Sequence, residues 1–214
     1  MTRRLAIHMA ALSLVAAALS AQDYKIGAGP LSGLPTGLPA AYQSLLAPGV
    51  QIQGPDGTPK VEIWFAKAIA SGAPPSDPAI VFGIKQGTFL GVIRWPGKGE
   101  DRRGQQISPG LYTLRYSNFP VDGAHQGVAP QRDFALMTPI ASDPDPNAMP
   151  AFDALIQMST KASNSPHPAV LSLEQSSATT FPSLSKEGDT PDWVLNVQAG
   201  GLKIGIILIG KYTG

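Results

Sequence analysis

The residues with most chemistry to offer gather in one stretch, "VDGAHQGVAPQRDF" (121–134), which brings Asp122, His125, Arg132 and Asp133 close together in the chain. An imidazole oriented by a carboxylate can act as an acid or base, and a guanidinium beside it can hold an anion. The same groups can instead tie a long connection to the protein body. Arg132 can fork onto Asp122 or onto main-chain carbonyls, Asp133 can accept backbone N–H groups, and His125 can donate a ring nitrogen to a carbonyl. Any ordered loop needs such partners, so the residue types leave a structural staple, a binding site and an acid–base site all open. Tyr112 and Tyr116, on the strand that leads to this loop, would flank a site for an anionic or sugar ligand.

A zinc site would have to combine His125 and His167 with Asp122, and these lack the paired ligand spacing of such sites; no cofactor is expected. His167 stands in "SPHPA", held extended between two prolines. Other fragments fail on spacing. "GAGPLSG" (27–33) has one residue too many for a dinucleotide fingerprint. "GVIRWPGK" (91–98) places too many residues before its Gly-Lys pair for a phosphate loop, and "GPLSG" is not a serine elbow. "DPDPN" sets Asp143, Asp145 and Asn147 at alternate calcium-loop positions. Ala148 then falls where the turn wants glycine, and Ala154 where a glutamate should close the shell. With 0 cysteines there is no thiol nucleophile and no disulfide.

The elements that must position these groups read as strands. "VEIWFAKAI" (61–69) alternates Val61, Ile63 and Phe65 against Glu62 and Trp64, a period of two. "LYTLRYS" (111–117) puts Tyr112, Leu114 and Tyr116 on one face, Thr113 and Arg115 on the other. "AIVFGI" (79–84) and "TFLGVIRW" (88–95) flank a short connection and suggest a hairpin. With 133–138, 169–174, 192–199 and 202–210 these make about eight strands by the alternation rule. One helix is expected near 150–162, opened by Pro150, with Phe152, Leu155, Ile156 and Ser159 on one face. The fold class is therefore mainly β: an antiparallel β-sandwich, immunoglobulin-like, prealbumin-like or jelly-roll.

Residues 1–21 read as a signal peptide: Arg3 and Arg4, an apolar run, then small residues ending in "ALSA". A Pro/Gly-rich arm or linker follows over 22–50, with at most one helical turn around 41–46, and 51–214 form a single domain. Losing Arg3 and Arg4 from the 16 Lys and Arg leaves 14 against 15 Asp and Glu, so the mature charge gives no case for nucleic acid or an anionic membrane. No transmembrane span remains after cleavage, because the terminal "LKIGIILIG" is shorter than the roughly 20 residues a helix needs.

"PGLYTL" resembles the turn and strand of prealbumin-like and carboxypeptidase-regulatory-like modules. The larger block is similar to a group of uncharacterised exported bacterial proteins. Those share a Y-T-L-R-Y strand, here Tyr112 to Tyr116, and an H-x-G-x-x-P-x-R-D-F loop, here His125 to Phe134. The resemblance implies a β-sandwich and export, and carries no activity with it. Together these readings point to an exported, non-catalytic binding or interaction module, periplasmic or secreted, with an envelope protein or polysaccharide as partner. Two alternatives stay open. One is a periplasmic hydrolase or metal-dependent enzyme using the 121–134 loop; the other is a structural component that assembles by strand addition through "IGIILIG".

Overall fold

A computed structural model of the chain describes residues 23–121, 131–187 and 192–211. The described chain is mainly β, as the alternation requires. Ten strands make one antiparallel sheet. In sheet order they are β1 (Lys25–Ile26), β2 (Val50–Gln53), β3 (Pro59–Phe65), β6 (Phe89–Trp95), β9 (Gly110–Asn118), β10 (Asp133–Pro139), β11 (Val170–Gln175), β14 (Leu202–Ile209), β13 (Asp192–Ala199) and β12 (Ser183–Glu187). Two ribbons interrupt this order: β4 (Ser71–Gly72) with β5 (Gly83–Ile84), and β7 (Gly99–Glu100) with β8 (Gln106–Ile107).

The sheet curls until β1 and β12 touch, which makes a nearly closed barrel with a seam that no ladder among the described residues crosses. Registers put Ile63, Ile93 and Tyr112 side by side, and likewise Leu114 with Met137 and Leu173 with Ile206 and Leu195. All are buried, and they fill the interior, as expected for a barrel of this size. The opposite face of β10 and β11 is also covered. There α2 (Phe152–Ser163) packs Leu155 against Phe134, Leu136 and Val170. Ser159 locks the helix to the strand, donating to the Ala169 carbonyl and accepting its N–H, both at 3.0 Å. Asn164 ends α2 in the left-handed region at φ 48°, a position where asparagine is among the tolerated residues.

The 27–49 segment lies on this same body. Its short helix α1 (Ala40–Gln43) buries Tyr42, and Trp64 donates its indole N–H to the Gly33 carbonyl at 3.0 Å.

The strand count departs from expectation: fourteen strands are present among the described residues, not about eight. Those unforeseen are β1, β2, β4, β7, β8 and β12. Four of them are two residues long, too short to show any period, and β12 ("SLSKE") is largely polar. The 79–84 hairpin also differs. Only Gly83–Ile84 is strand, and it pairs with β4, because Val81 and Phe82 give their N–H groups to the Asp133 carboxylate instead of a ladder. Where a sandwich would divide into two packed sheets, the main ladder here is continuous. Bulges between Phe89 and Gly91, Ile52 and Gln53, and Trp193 and Val194 bend its strands around the core. The segment "IGIILIG" belongs to β14, between β11 and β13, and so offers no free edge for strand addition.

Candidate functional site

The alternation of β9 sends Tyr112 and Tyr116 into the barrel and Arg115 outward. Tyr112 donates to the Ser108 carbonyl at 2.7 Å, and burial raises its pKa. Tyr116 lies against Asp133 on the neighbouring strand, its hydroxyl 2.5 Å from Asp133 Oδ1 and 3.1 Å from the Phe82 carbonyl. Asp133 is fully buried and accepts the N–H groups of Val81 at 2.9 Å and Phe82 at 3.2 Å. Burial raises the pKa of both groups, and no cation among the described residues pairs with the carboxylate.

Arg132, next in sequence to Asp133, bonds elsewhere. Its Nε and Nη2 donate to the Phe119 carbonyl at 2.9 and 2.6 Å, and its Nη1 pairs with the Asp77 carboxylate. This fork closes the two ends of the connection, with the Phe119 N–H donating to the Arg132 carbonyl at 2.8 Å. Asp122 and His125 lie outside the described residues. His167 is exposed ahead of β11, with its main chain bonded to Ser165. The pairing of Leu136 with Val170 and Phe134 with Ser172 puts His167 at the far end of the β10–β11 pair from Asp133. Thus Tyr116 and Asp133 are brought together, while Tyr112, Arg132 and His167 each stand apart. Among the described residues, no three His, Cys, Asp or Glu are grouped to hold a metal ion.

A dense polar assembly among the described residues centres on Arg115, which no motif spacing singled out. Arg115 is 0 % exposed and meets Asp143 of the "DPDPN" segment in a bidentate pair. Its other N–H groups reach the carbonyls of Gly87, Asp145, Pro146 and Ala148. Asp143 accepts the Thr113 hydroxyl at 2.6 Å, and its carbonyl accepts that of Tyr42, whose pKa is pushed up to about 12, chiefly by burial. The would-be calcium loop is therefore wound around an arginine. A charged residue in the middle of an apolar strand was the available signal, since a buried guanidinium must find partners.

A second cluster sits by the sheet edge. Glu174 on β11 lies across Gly205; burial, then the charge of Glu187 on β12, raises its pKa to about 7. Nearby, Asp192 takes Nε and Nη2 of Arg102 at 3.0 and 2.7 Å.

The barrel leaves a cavity at each mouth. One, of about 560 Å³, opens between the 27–30 and 47–49 parts of the arm, the cis Phe181–Pro182 turn and the end of β13. Ile26, Val50, Phe65, Val197 and Ala199 line it from the barrel side, and among the described residues Lys67 is its only charged lining residue. The other mouth is lined by Tyr24, Trp95 and Trp193 with several lysines. Comparison of the chain with protein-family models, with curated proteins and with solved structures finds no match.

Proposed function

We propose that the protein is an exported, non-catalytic binding module of the cell envelope or secreted fraction, and that it holds the apolar part of a ligand in the Phe65/Val197 mouth. One observation carries this reading: a cavity of about 560 Å³ at a barrel end, walled by apolar side chains with one ammonium at its rim. Small-molecule sites favour such concave, apolar places with few polar groups, barrel mouths among them. Its partner is an envelope component with an exposed apolar group, an envelope protein or lipid-bearing polysaccharide. The acid–base residues offer less support for catalysis. Asp133 and Arg132 are engaged in bonds that hold the fold, so neither is free to serve a substrate.

Titration with 1-anilinonaphthalene-8-sulfonate tests the cavity, because its rings match the wall and its sulfonate can meet Lys67. Saturable fluorescence that Ala47→Phe, a change at a half-buried lining residue, abolishes while circular dichroism shows the variant folded is the expected outcome. Saturation that survives this filling of the mouth would move the site elsewhere. Export is tested separately by N-terminal sequencing of the mature protein, which should begin at Ala21 or Gln22.

A further inference from the structure

The opposite mouth has a different chemistry. Lys60 at the start of β3, Trp95 at the end of β6, Trp193 near the start of β13 and Lys211 after β14 all reach one rim, because antiparallel neighbours place these ends together. With Tyr24 and Lys98 they line a cavity of about 560 Å³. Three lysines face one carboxylate, Glu100, which already accepts from Gln106 at 3.3 Å.

Two of these cations are uncommitted. Lys60 pairs with Asp56 at 3.2 Å, but Lys98 and Lys211 are exposed and have no ion pair among the described residues. The rings are held in place from behind. Trp95 donates its indole N–H to Met137 Sδ at 3.4 Å and has Gly99 pressed against its ring, where any Cβ would meet Cε3 at 2.3 Å. Trp193 meets Tyr24 edge to face, centroids 5.5 Å apart. Rings fixed this way lose little entropy when a ligand lies on them, and uncompensated ammonium groups favour an anion.

We infer that this mouth binds an acidic oligosaccharide, with the C–H face of a uronate ring on the Tyr24/Trp193 side and its carboxylate between Lys98 and Lys211. Rings alone would suit a neutral sugar and lysines alone a small anion; their meeting in one cavity selects a sugar that carries charge. The surrounding protein does not extend the positive field, since the mature chain is close to neutral, so a polyanion such as nucleic acid gains little beyond this rim. The inference is independent of the apolar mouth, which lies at the other end of the barrel.

Tryptophan emission of the full mature protein, titrated with trigalacturonate and with its methyl ester, provides the test. Saturable quenching is expected for the acid. Affinity should fall about tenfold for the ester and for Lys98→Ala/Lys211→Ala, two exposed ion pairs being lost in each case. Both substitutions are on the surface, and circular dichroism checks that the variant is folded. Ala47→Phe, at a half-buried residue of the apolar mouth, adds no tryptophan and should leave this affinity unchanged, which separates the two sites. Equal affinity for acid and ester, an unaffected lysine variant, or no saturable quenching by trigalacturonate would each overturn the inference.

Discussion

Arg115 holds Asp143 by two parallel bonds, Nε to Oδ2 and Nη2 to Oδ1, each at 2.8 Å, on the outer face of the sheet beneath the 143–148 segment. Four carbonyls of the surrounding loops complete the guanidinium's partners, so one side chain organises the chain between β10 and α2. Neither ion has water to return to if the other is removed. Asp143→Ala should therefore cost about 3–5 kcal/mol in urea unfolding, the usual loss when a buried pair is broken from one side. Arg115→Lys should fail nearly as badly, since an ammonium cannot fork onto a carboxylate and reach several carbonyls. A loss within the range of an exposed ion pair in either variant would show that the segment is held by its prolines instead.

How far the chain could be read without its structure follows from the range of each interaction. The faces of β3 and β9 were legible because alternation is a local property: Ile63 and Leu114 are buried inside the barrel as their spacing implied. Helix α2 was legible from its 3.6 period and runs Phe152–Ser163. Curling into one sheet was not, because it depends on bulges such as that at Gly91 and on β12 crossing to the far edge before β14 returns beside β11. The site was harder still. Tyr112, Tyr116, Arg132 and Asp133 were picked out by type, yet Asp133's partners are Val81, Phe82 and Tyr116, the first two distant in sequence. Neither cavity left a local pattern, since each collects residues from the ends of several strands.

Gly91 shows the closeness of packing that curling demands. A Cβ there would meet the Trp64 carbonyl oxygen at 2.3 Å and Phe65 Cα at 2.9 Å, both backbone atoms that cannot step aside without breaking the β3–β6 ladder. Gly91→Ala should lose more than the roughly 1 kcal/mol that an ordinary glycine-to-alanine change moves in either direction. Gly97→Ala is the control, because nothing lies within 4 Å of its Cβ position. Thermal melts of the two variants should therefore diverge sharply; equal melting temperatures would mean that β3 and β6 can separate at little cost.

Tyr116 and Asp133 form a buried acid pocket with three donors, two N–H and one O–H. Burial raises the folded pKa of Asp133 above its unfolded value of 3.8, so its contribution to stability is greatest in acid and declines as pH rises through the folded value. Removing the hydroxyl takes a donor from the charged form and should steepen that decline. Tyr116→Phe is expected to cost about 1–3 kcal/mol, with a larger cost at pH 8 than at pH 4 in urea unfolding. A cost independent of pH would assign the hydroxyl proton to the Phe82 carbonyl instead.

Glu174 gives the clearest pH signature near neutrality. Burial first, then the charge of Glu187, lifts its folded pKa from 4.5 to about 7. The folded state thus holds a proton that the unfolded state releases between these values. Its stabilising contribution is full below about pH 4.5 and is lost as pH rises through about 7. Asp56 and Asp77 have lowered pKa values, so their opposite effect is confined to more acid conditions and does not mask this one. Because Glu187 closes edge strand β12, pairing there with Asp192, deprotonation sets two carboxylates against each other where the sheet is least supported. Glu174→Gln should flatten the fall in melting temperature between pH 4.5 and 8 and leave the variant more stable than wild type at pH 8. Amide exchange along 183–187 should likewise quicken with pH in wild type beyond its intrinsic base catalysis, and not in the variant. If Glu174→Gln keeps the wild-type slope, the Glu174 proton does not set the pH response and the edge is held by other means.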